Sequence, residues 1–317
     1  MPLCSKCKKC VIAAFACVVV ILLFTSYFWG RLSVDDKFLF SAVTRETVNE
    51  SQSTLNVERN LRLISYNLWC DHFSPHSLWN VNERIQMLAD GIKKFDIALI
   101  QEAYILNTGF AVISNCASLL VKAMEKRGFH YRTSVTDFLA PYVGKSGGIV
   151  IFSRIPLART ISRQFHNYSF LQSADYRGFV VGEYFVNSRH LHIINTHLDP
   201  RQAKTRTLQA KELTTATKNF TTYSHLIVGG DFNIDNLYPT VSNSSKEYID
   251  LLKTMNEAGL RSVFPLRKET NIDGGNYDAI FTSCNVAVVR KKIIKLVTTG
   301  KELVSDHYGL AVEFKLL

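Results

Sequence analysis

From Leu61 onward the chain alternates short apolar runs with amphipathic stretches. LRLISYNLW (61–69) alternates and then ends in polar residues, as a strand does that delivers side chains at its C-terminal end. NVNERIQMLADGIKK (80–94) has helical spacing with an asparagine available as cap, and DIALIQE (96–102) reads as a strand. A second helix is predicted over 114–127, from Ser114 to a stop at Gly128. Strands then dominate, at about 129–137, 147–153, 157–166, 178–186 and 190–196. An amphipathic helix from Arg201, the strand LIVGG, a helix near 245–258 and strands near 277–282, 289–298 and 308–315 complete the pattern. Strands with interspersed helices predict a mixed α/β layer architecture. There is no internal repeat and no low-complexity tract.

The first 60 residues break this pattern. Val11 to Trp29 carries no charge over 19 residues, which at about 1.5 Å per residue spans roughly 28 Å, close to a bilayer core. Lys6, Lys8 and Lys9 precede it and Tyr27, Phe28 and Trp29 close it, which places the N-terminus in the cytosol. The run exceeds the usual hydrophobic core of a cleaved signal peptide and no small-residue cleavage site follows, so an uncleaved signal anchor is expected. The organisation expected is a cytosolic segment (1–10), one transmembrane helix (11–29), a stalk (30–60) and a catalytic domain (61–317), a single-pass type II protein with its domain luminal or extracellular.

Four of the seven cysteines, Cys4, Cys7, Cys10 and Cys17, lie in or before the apolar run, where acylation fits better than a metal cluster. Cys70, Cys116 and Cys284 remain, enough for one disulfide and one thiol. Sequons at Asn49, Asn167, Asn219 and Asn243 are compatible with a luminal domain, though chance alone would supply some of them. The chain carries a formal +10, of which +8 belongs to residues 61–317. That balance suits an anionic partner, phospholipid or nucleic acid, without choosing between them.

Polar residues recur at strand ends: Asn67 after LRLISY, Glu102 after DIALIQ, Asn195 and His197 after LHII, Asp231 and Asn233 after LIVGG, and Asp306 and His307 before YGLAVEF. Asp278 opens DAIF. Rigid strands can converge such groups on one cleft. A carboxylate and an amide oxygen suit Mg²⁺, which takes few protein oxygens and keeps several waters. A histidine beside an acid suits a general base.

SYNLW, LIQEAY, SGGIVIFSRIP, NTHLD, VGGDFNID, NYDAIF and VSDHYGL stand in the order and spacing of the endonuclease/exonuclease/phosphatase superfamily, which the chain resembles over about 61–317. Any one motif is weak, and seven in order are specific. The resemblance implies a four-layer α/β sandwich, two packed mixed β-sheets flanked by helices. It also implies Mg²⁺, with Mn²⁺ as a substitute, held by Glu102 and Asn67 with Asp306 as a metal-side or orienting ligand. His307 would be the base, supported by Asp231 or Asp278. His197 and Asn233 would donate to the phosphoryl oxygens, with Asn195 shaping the substrate site. The reaction implied is in-line attack of water on a phosphodiester.

Substrate is the open question, since this fold hosts several. GKSGGIVIFSRIP, with Lys145, resembles the glycine-containing loop of the neutral sphingomyelinase branch. SADYRGFVVGEY resembles its lysine-glycine segment, with Arg177 where lysine is usual. NTHLDPRQAKTRTLQAKEL resembles its THL segment and following helix. Two apolar, aromatic stretches, 104–113 and 138–144, either form loops that could dip into a bilayer or pack into the core. With the anchor, these features favour sphingomyelin or another membrane phospholipid. A membrane-tethered nuclease ranks second, and a catalytically inactive binding protein third.

Overall fold

The computed structural model describes residues 57–70, 80–107, 112–134, 144–167, 177–218, 220, 224–235, 245–264 and 268–317. The apolar segment 11–29, most of the stalk, Asn49, Asn219, Asn243 and the stretch 138–143 lie outside these residues. Among the described residues no helix is long and apolar enough to cross a membrane.

One six-stranded sheet runs β14 (Val286–Ile294), β15 (Gly309–Leu316), β1 (Leu61–Asn67), β2 (Ile97–Gln101), β7 (Val150–Ser153), β5 (Tyr131–Arg132). The other runs β12 (Leu260–Ser262), β13 (Asp278–Ser283), β11 (His225–Asp231), β10 (Arg189–His197), β9 (Gly178–Val186), β8 (Arg159–Gln164). Both are mixed, because β1–β2 and β10–β11 are parallel while their other pairs are antiparallel. A small sheet, β4 (Val112–Asn115), β3 (Ile105–Asn107), β6 (Gly144–Lys145), stands apart.

Strand parity divides the core into three layers. Leu63, Leu99, Ile151, Ile193, Ile227, Ile280 and Leu310 fill the space between the two large sheets. The opposite face of the first sheet packs through Ile64, Ile100 and Phe152 on α1 (Val81–Ile92) and α2 (Cys116–Glu125). The opposite face of the second packs through Ile194, Val228 and Phe281 on α3 (Ala203–Thr217) and α4 (Lys246–Glu257). Helices, sheet, sheet, helices is the four-layer order.

The structure departs from the sequence reading in places that have physical reasons. Helix α3 has no apolar stripe: its buried face includes Thr205, Arg206, Gln209 and Thr214, held by polar bonds such as the Arg206 fork on Glu247. The second helix begins at Cys116 rather than Ser114 because 112–115 pair with β3 as a strand. The stretch from Tyr104 is not a membrane loop at its start, since Tyr104 and Ile105 are each 1% exposed. The domain's contacts also begin earlier than Leu61. The Val57 N–H donates to Asn187 Oδ1 at 2.7 Å, and Arg59 forks onto Asp96 at 2.8 and 2.5 Å. Cys70 and Cys116 form a disulfide that ties the end of β1 to the start of α2, and Cys284 is free and exposed.

Candidate active site

The inter-sheet layer turns from apolar to polar at one end, and strand parity puts the site there. On β1 the inward series is Leu63, Ser65, Asn67; on β2 Leu99, Gln101; on β10 Ile193, Asn195, His197; on β11 Ile227, Gly229, Asp231. Asp278 pairs with Asp231 in the β11–β13 register, and β15 starts two residues after His307. Six strands, β1, β2, β10, β11, β13 and β15, therefore bring polar groups to one end of one layer.

Two glycines make that convergence fit. A Cβ on Gly229 would lie 2.8 Å from Leu99 Cδ1 of the facing sheet, and one on Gly230, at φ 147°, would lie 2.0 Å from the Thr196 carbonyl oxygen. Glu102, one residue beyond β2, would point away from the site by parity. Its φ of 57° turns the chain there and brings its carboxylate back. Trp69 and Asn233, just past β1 and β11, also take φ near 53° and 52°. Left-handed backbone costs residues such as Glu102 and Trp69 about 1–2 kcal/mol each, while asparagine tolerates it, so two of these strand ends hold strain where the polar groups are aimed.

Glu102, His197 and Asp231 each offer a ligand atom within 4.8 Å of the others. His197 Nε2 lies 3.4 Å from Asp231 Oδ2 and 3.9 Å from Glu102 Oε1. Burial raises Glu102 above the ordinary carboxylate range, against the pull of Arg177 and His307, and raises Asp231 to about 6. Two carboxylates facing one point, Asp231 buried and Glu102 partly buried, both disfavoured as anions, fit a hard divalent cation. Asn67 donates from Nδ2 to Asp231 Oδ2 at 3.0 Å, and its Oδ1 accepts the Trp69 N–H at 2.8 Å, leaving a second lone pair for a cation.

Asp231, Asp278 and His307 form the second cluster. His307 Nδ1 is 2.8 Å from Asp278 Oδ2, and Nε2 is 3.8 Å from Asp231 Oδ2. Sequence left Asp231 and Asp278 as alternative supports of the histidine, and the contact distance selects Asp278. Burial alone would lower His307, but the charges of Asp278 and Asp231, with the Asp278 hydrogen bond, outweigh it and hold the imidazolium well above its ordinary value. His197 is shifted the other way, well below its ordinary value, by burial and by Arg177, His307 and Lys145. His197 and His307 both approach Asp231 Oδ2, and their surroundings push them in opposite directions, which makes His307 the more basic of the two and leaves His197 suited to neutral hydrogen bonding.

Lys145 and Arg177, 32 residues apart in sequence, meet over the Tyr104 ring at 4.5 and 6.0 Å, and both are 5% exposed. Their charges reach His197, and that of Arg177 reaches Glu102, so a cationic lobe borders the metal cluster. Asn233 gives its backbone N–H to Asp231 Oδ1 at 2.8 Å and one Nδ2 hydrogen to the Leu198 carbonyl at 3.0 Å; its other hydrogen is the one available to a phosphoryl oxygen. Asp306 belongs to neither cluster. Its Oδ1 lies 3.2 Å from Ser305 Oγ, and burial raises the carboxyl to about 6, with Glu102 and Asp278 among the charges that reach it.

Asn195 is not a substrate contact. It is fully buried one step below His197, its Oδ1 accepting from Gln101 Nε2 at 2.7 Å and its Nδ2 donating to the Ile100 and Val150 carbonyls at 2.8 and 2.9 Å. Parity places it in the core, where it pins the two sheets together. Gln101 and Thr270 escaped the sequence reading. Thr270 Oγ1 accepts the backbone N–H groups of Tyr277 (3.0 Å) and Asp278 (3.3 Å), and its carbonyl accepts that of Tyr308 at 2.7 Å, bracketing the Asp278–His307 pair. Nothing in a lone threonine signals that.

The sequence pattern of the Endonuclease/Exonuclease/phosphatase family matches residues 64–307. The chain belongs to this family. Within it, the chain is 24% identical over 225 residues to a sphingomyelinase C of Bacillus cereus, covering 66% of this chain and 67% of that protein. It is 23% identical over 222 residues to a phospholipase C of Staphylococcus aureus, covering 63% and 62%. A beta toxin mutant from Staphylococcus aureus, solved with bound magnesium ions, superposes with a TM-score of 0.62 at 20% identity, over 81% of this chain and 100% of that one. Sphingomyelinase C from Streptomyces griseocarneus superposes with a TM-score of 0.60 at 18% identity, over 80% and 99%. The family's α/β sandwich is thus the fold of this domain.

Proposed function

We propose that the protein is a Mg²⁺-dependent phosphodiesterase of phospholipase C type that hydrolyses sphingomyelin to ceramide and phosphocholine. The observation that carries the reading is the adjacency of two devices that share Asp231: a carboxylate cluster fit for a hard cation, and an Asp278-oriented histidine whose Nε2 faces it. The named activity of the Bacillus cereus and Streptomyces griseocarneus proteins supports the substrate.

His307 takes the proton of the attacking water at Nε2, while Asp278 holds the Nδ1 proton and stabilises the imidazolium that results. His197 and Asn233 hydrogen-bond the non-bridging oxygens, where charge grows. Lys145 and Arg177 hold the phosphate against the cluster by charge. Glu102, Asp231 and Asn67 would hold Mg²⁺, which when bound would polarise the phosphoryl oxygen and offset developing charge.

The apolar segment 11–29 and the lysines before it support a type II signal anchor that keeps the domain at a lipid surface. The Cys70–Cys116 disulfide suits an oxidising luminal or extracellular side. Protease protection of the domain in intact vesicles tests that topology. For the substrate, purified protein is given sphingomyelin vesicles and plasmid DNA, each with Mg²⁺ or EDTA. Release of phosphocholine that EDTA stops is the expected result, and DNA cleavage with the lipid untouched would replace this reading with that of a tethered nuclease.

A further inference from the structure

Arg84 lies in the first turn of α1 and is buried, 6% exposed. Both facts are unfavourable for a cation. Burial lowers its pKa, and the first turn is the positive end of the helix dipole. Its acceptors explain why it is there. Arg84 Nε donates to the Val304 carbonyl at 2.6 Å, and Nη2 donates to the Leu68 and Trp69 carbonyls at 2.6 and 2.9 Å. The guanidinium also stands 5.4 Å from the Trp69 ring centre.

These carbonyls belong to the two loops that carry the site. Leu68 and Trp69 follow Asn67, and the Trp69 N–H is the group that orients the Asn67 amide. Val304 precedes Ser305, Asp306 and His307. Ser305 Oγ donates to the Asn67 carbonyl at 2.7 Å, a second strut across the same gap. The charge of Arg84 is also compensated by Asp306 and Glu102, acids of the site itself.

We propose that Arg84 is a positioning residue, a clamp on three carbonyls that fixes the Asn67 turn against the loop ending in His307. It touches neither substrate nor metal. It acts by holding an expected metal ligand and the base in one frame, and the proposal rests on the function read above. A lysine at this place keeps the charge but cannot span three carbonyls with a planar fork.

Arg84→Lys, Arg84→Ala and Ser305→Ala in the full-length protein test this. Mg²⁺ affinity is measured by calorimetry without substrate, and kcat and KM on sphingomyelin vesicles. Arg84→Lys is expected to weaken Mg²⁺ binding about 10- to 100-fold and to lower kcat about 100-fold with KM little changed. Millimolar guanidinium should restore part of the kcat of Arg84→Ala and do nothing for the wild type. Ser305→Ala should move both quantities the same way, and with Arg84→Lys its effect should be less than additive. If the variants only melt earlier, with Mg²⁺ affinity and kcat per folded molecule unchanged, Arg84 is a structural residue and the clamp is wrong. Should the Arg84 variants fail to fold, an unchanged Ser305→Ala would overturn it. A wild type that binds Mg²⁺ but cleaves no sphingomyelin removes the proposed function and leaves calorimetry to judge the clamp, and one that binds no Mg²⁺ removes both.

Discussion

His307 Nδ1 sits 2.8 Å from Asp278 Oδ2, and the other ring nitrogen faces Asp231 at 3.8 Å. The first contact keeps a proton on Nδ1, so that Nε2 is the atom that exchanges a proton within the site. Asp278→Asn keeps the size of the side chain and removes its charge. It is expected to lower kcat about 10²- to 10⁴-fold while circular dichroism and KM stay close to wild type.

The buried charges set a pH dependence for the metal-free protein. Asp231 and Asp306 rise to about 6 and His307 rises well above its ordinary value, so all three hold protons more tightly folded than unfolded. Their contribution to stability is fully present at low pH, where both states are protonated. It falls as pH rises from the unfolded carboxylate value of about 4 through 6, and falls further as His307 loses its proton. His197, shifted well below its ordinary value, opposes this below the unfolded histidine value of about 6.5, so the fall is read in His197→Gln with EDTA present, which should melt lower at pH 8 than at pH 5.5. Mg²⁺ should raise the melting temperature more at pH 8 and should release protons on binding, read by calorimetry in buffers of different ionisation enthalpy.

Glu102 combines a strained backbone, at φ 57°, with a partly buried acid whose charge is disfavoured. Glycine relieves both. Glu102→Gly should stabilise the metal-free protein by about 1 kcal/mol in urea titration, while abolishing turnover and the rise in melting temperature that Mg²⁺ gives the wild type.

Asn195 separates a structural from a substrate role. Asn195→Ala leaves Gln101 Nε2 and the Ile100 and Val150 carbonyls without this partner, with a cost of about 1–3 kcal/mol for each group left unsatisfied. Thermal unfolding should show the loss, with KM on sphingomyelin unchanged for the folded fraction. A raised KM at unchanged stability would return Asn195 to the substrate site.

Much of this site was legible from strand ends. In LRLISYN, LHIINTH and LIVGGD the inward parity runs from leucine or isoleucine to Asn67, His197 and Asp231, and that gradient survives in the structure as the polar end of the inter-sheet layer. Parity cannot tell how far along the layer a polar residue stops, which is why Asn195, expected to shape the substrate site, lies one step below it as a core pin. Nor does it show that a glutamate will take a left-handed turn, since that conformation favours glycine and asparagine. The choice between Asp231 and Asp278 needed the β11–β13 register, which sets the two acids side by side and leaves the tilt of the His307 ring to decide. Strands β3, β5, β6 and β12 span only two or three residues each, too few to display a period. Thr270, Gln101 and Arg84 act through hydrogen bonds to backbone or to each other's neighbours, and such contacts have no sequence pattern.

Hydrolysis of sphingomyelin vesicles by the Mg²⁺-loaded protein in ¹⁸O-labelled water, with His307→Ala run alongside, tests the central claim most directly. Water attacking phosphorus puts one ¹⁸O into phosphocholine and none into ceramide, and the His307→Ala protein should release neither product above background. Label in ceramide, release of free choline, or full activity without His307 would contradict it.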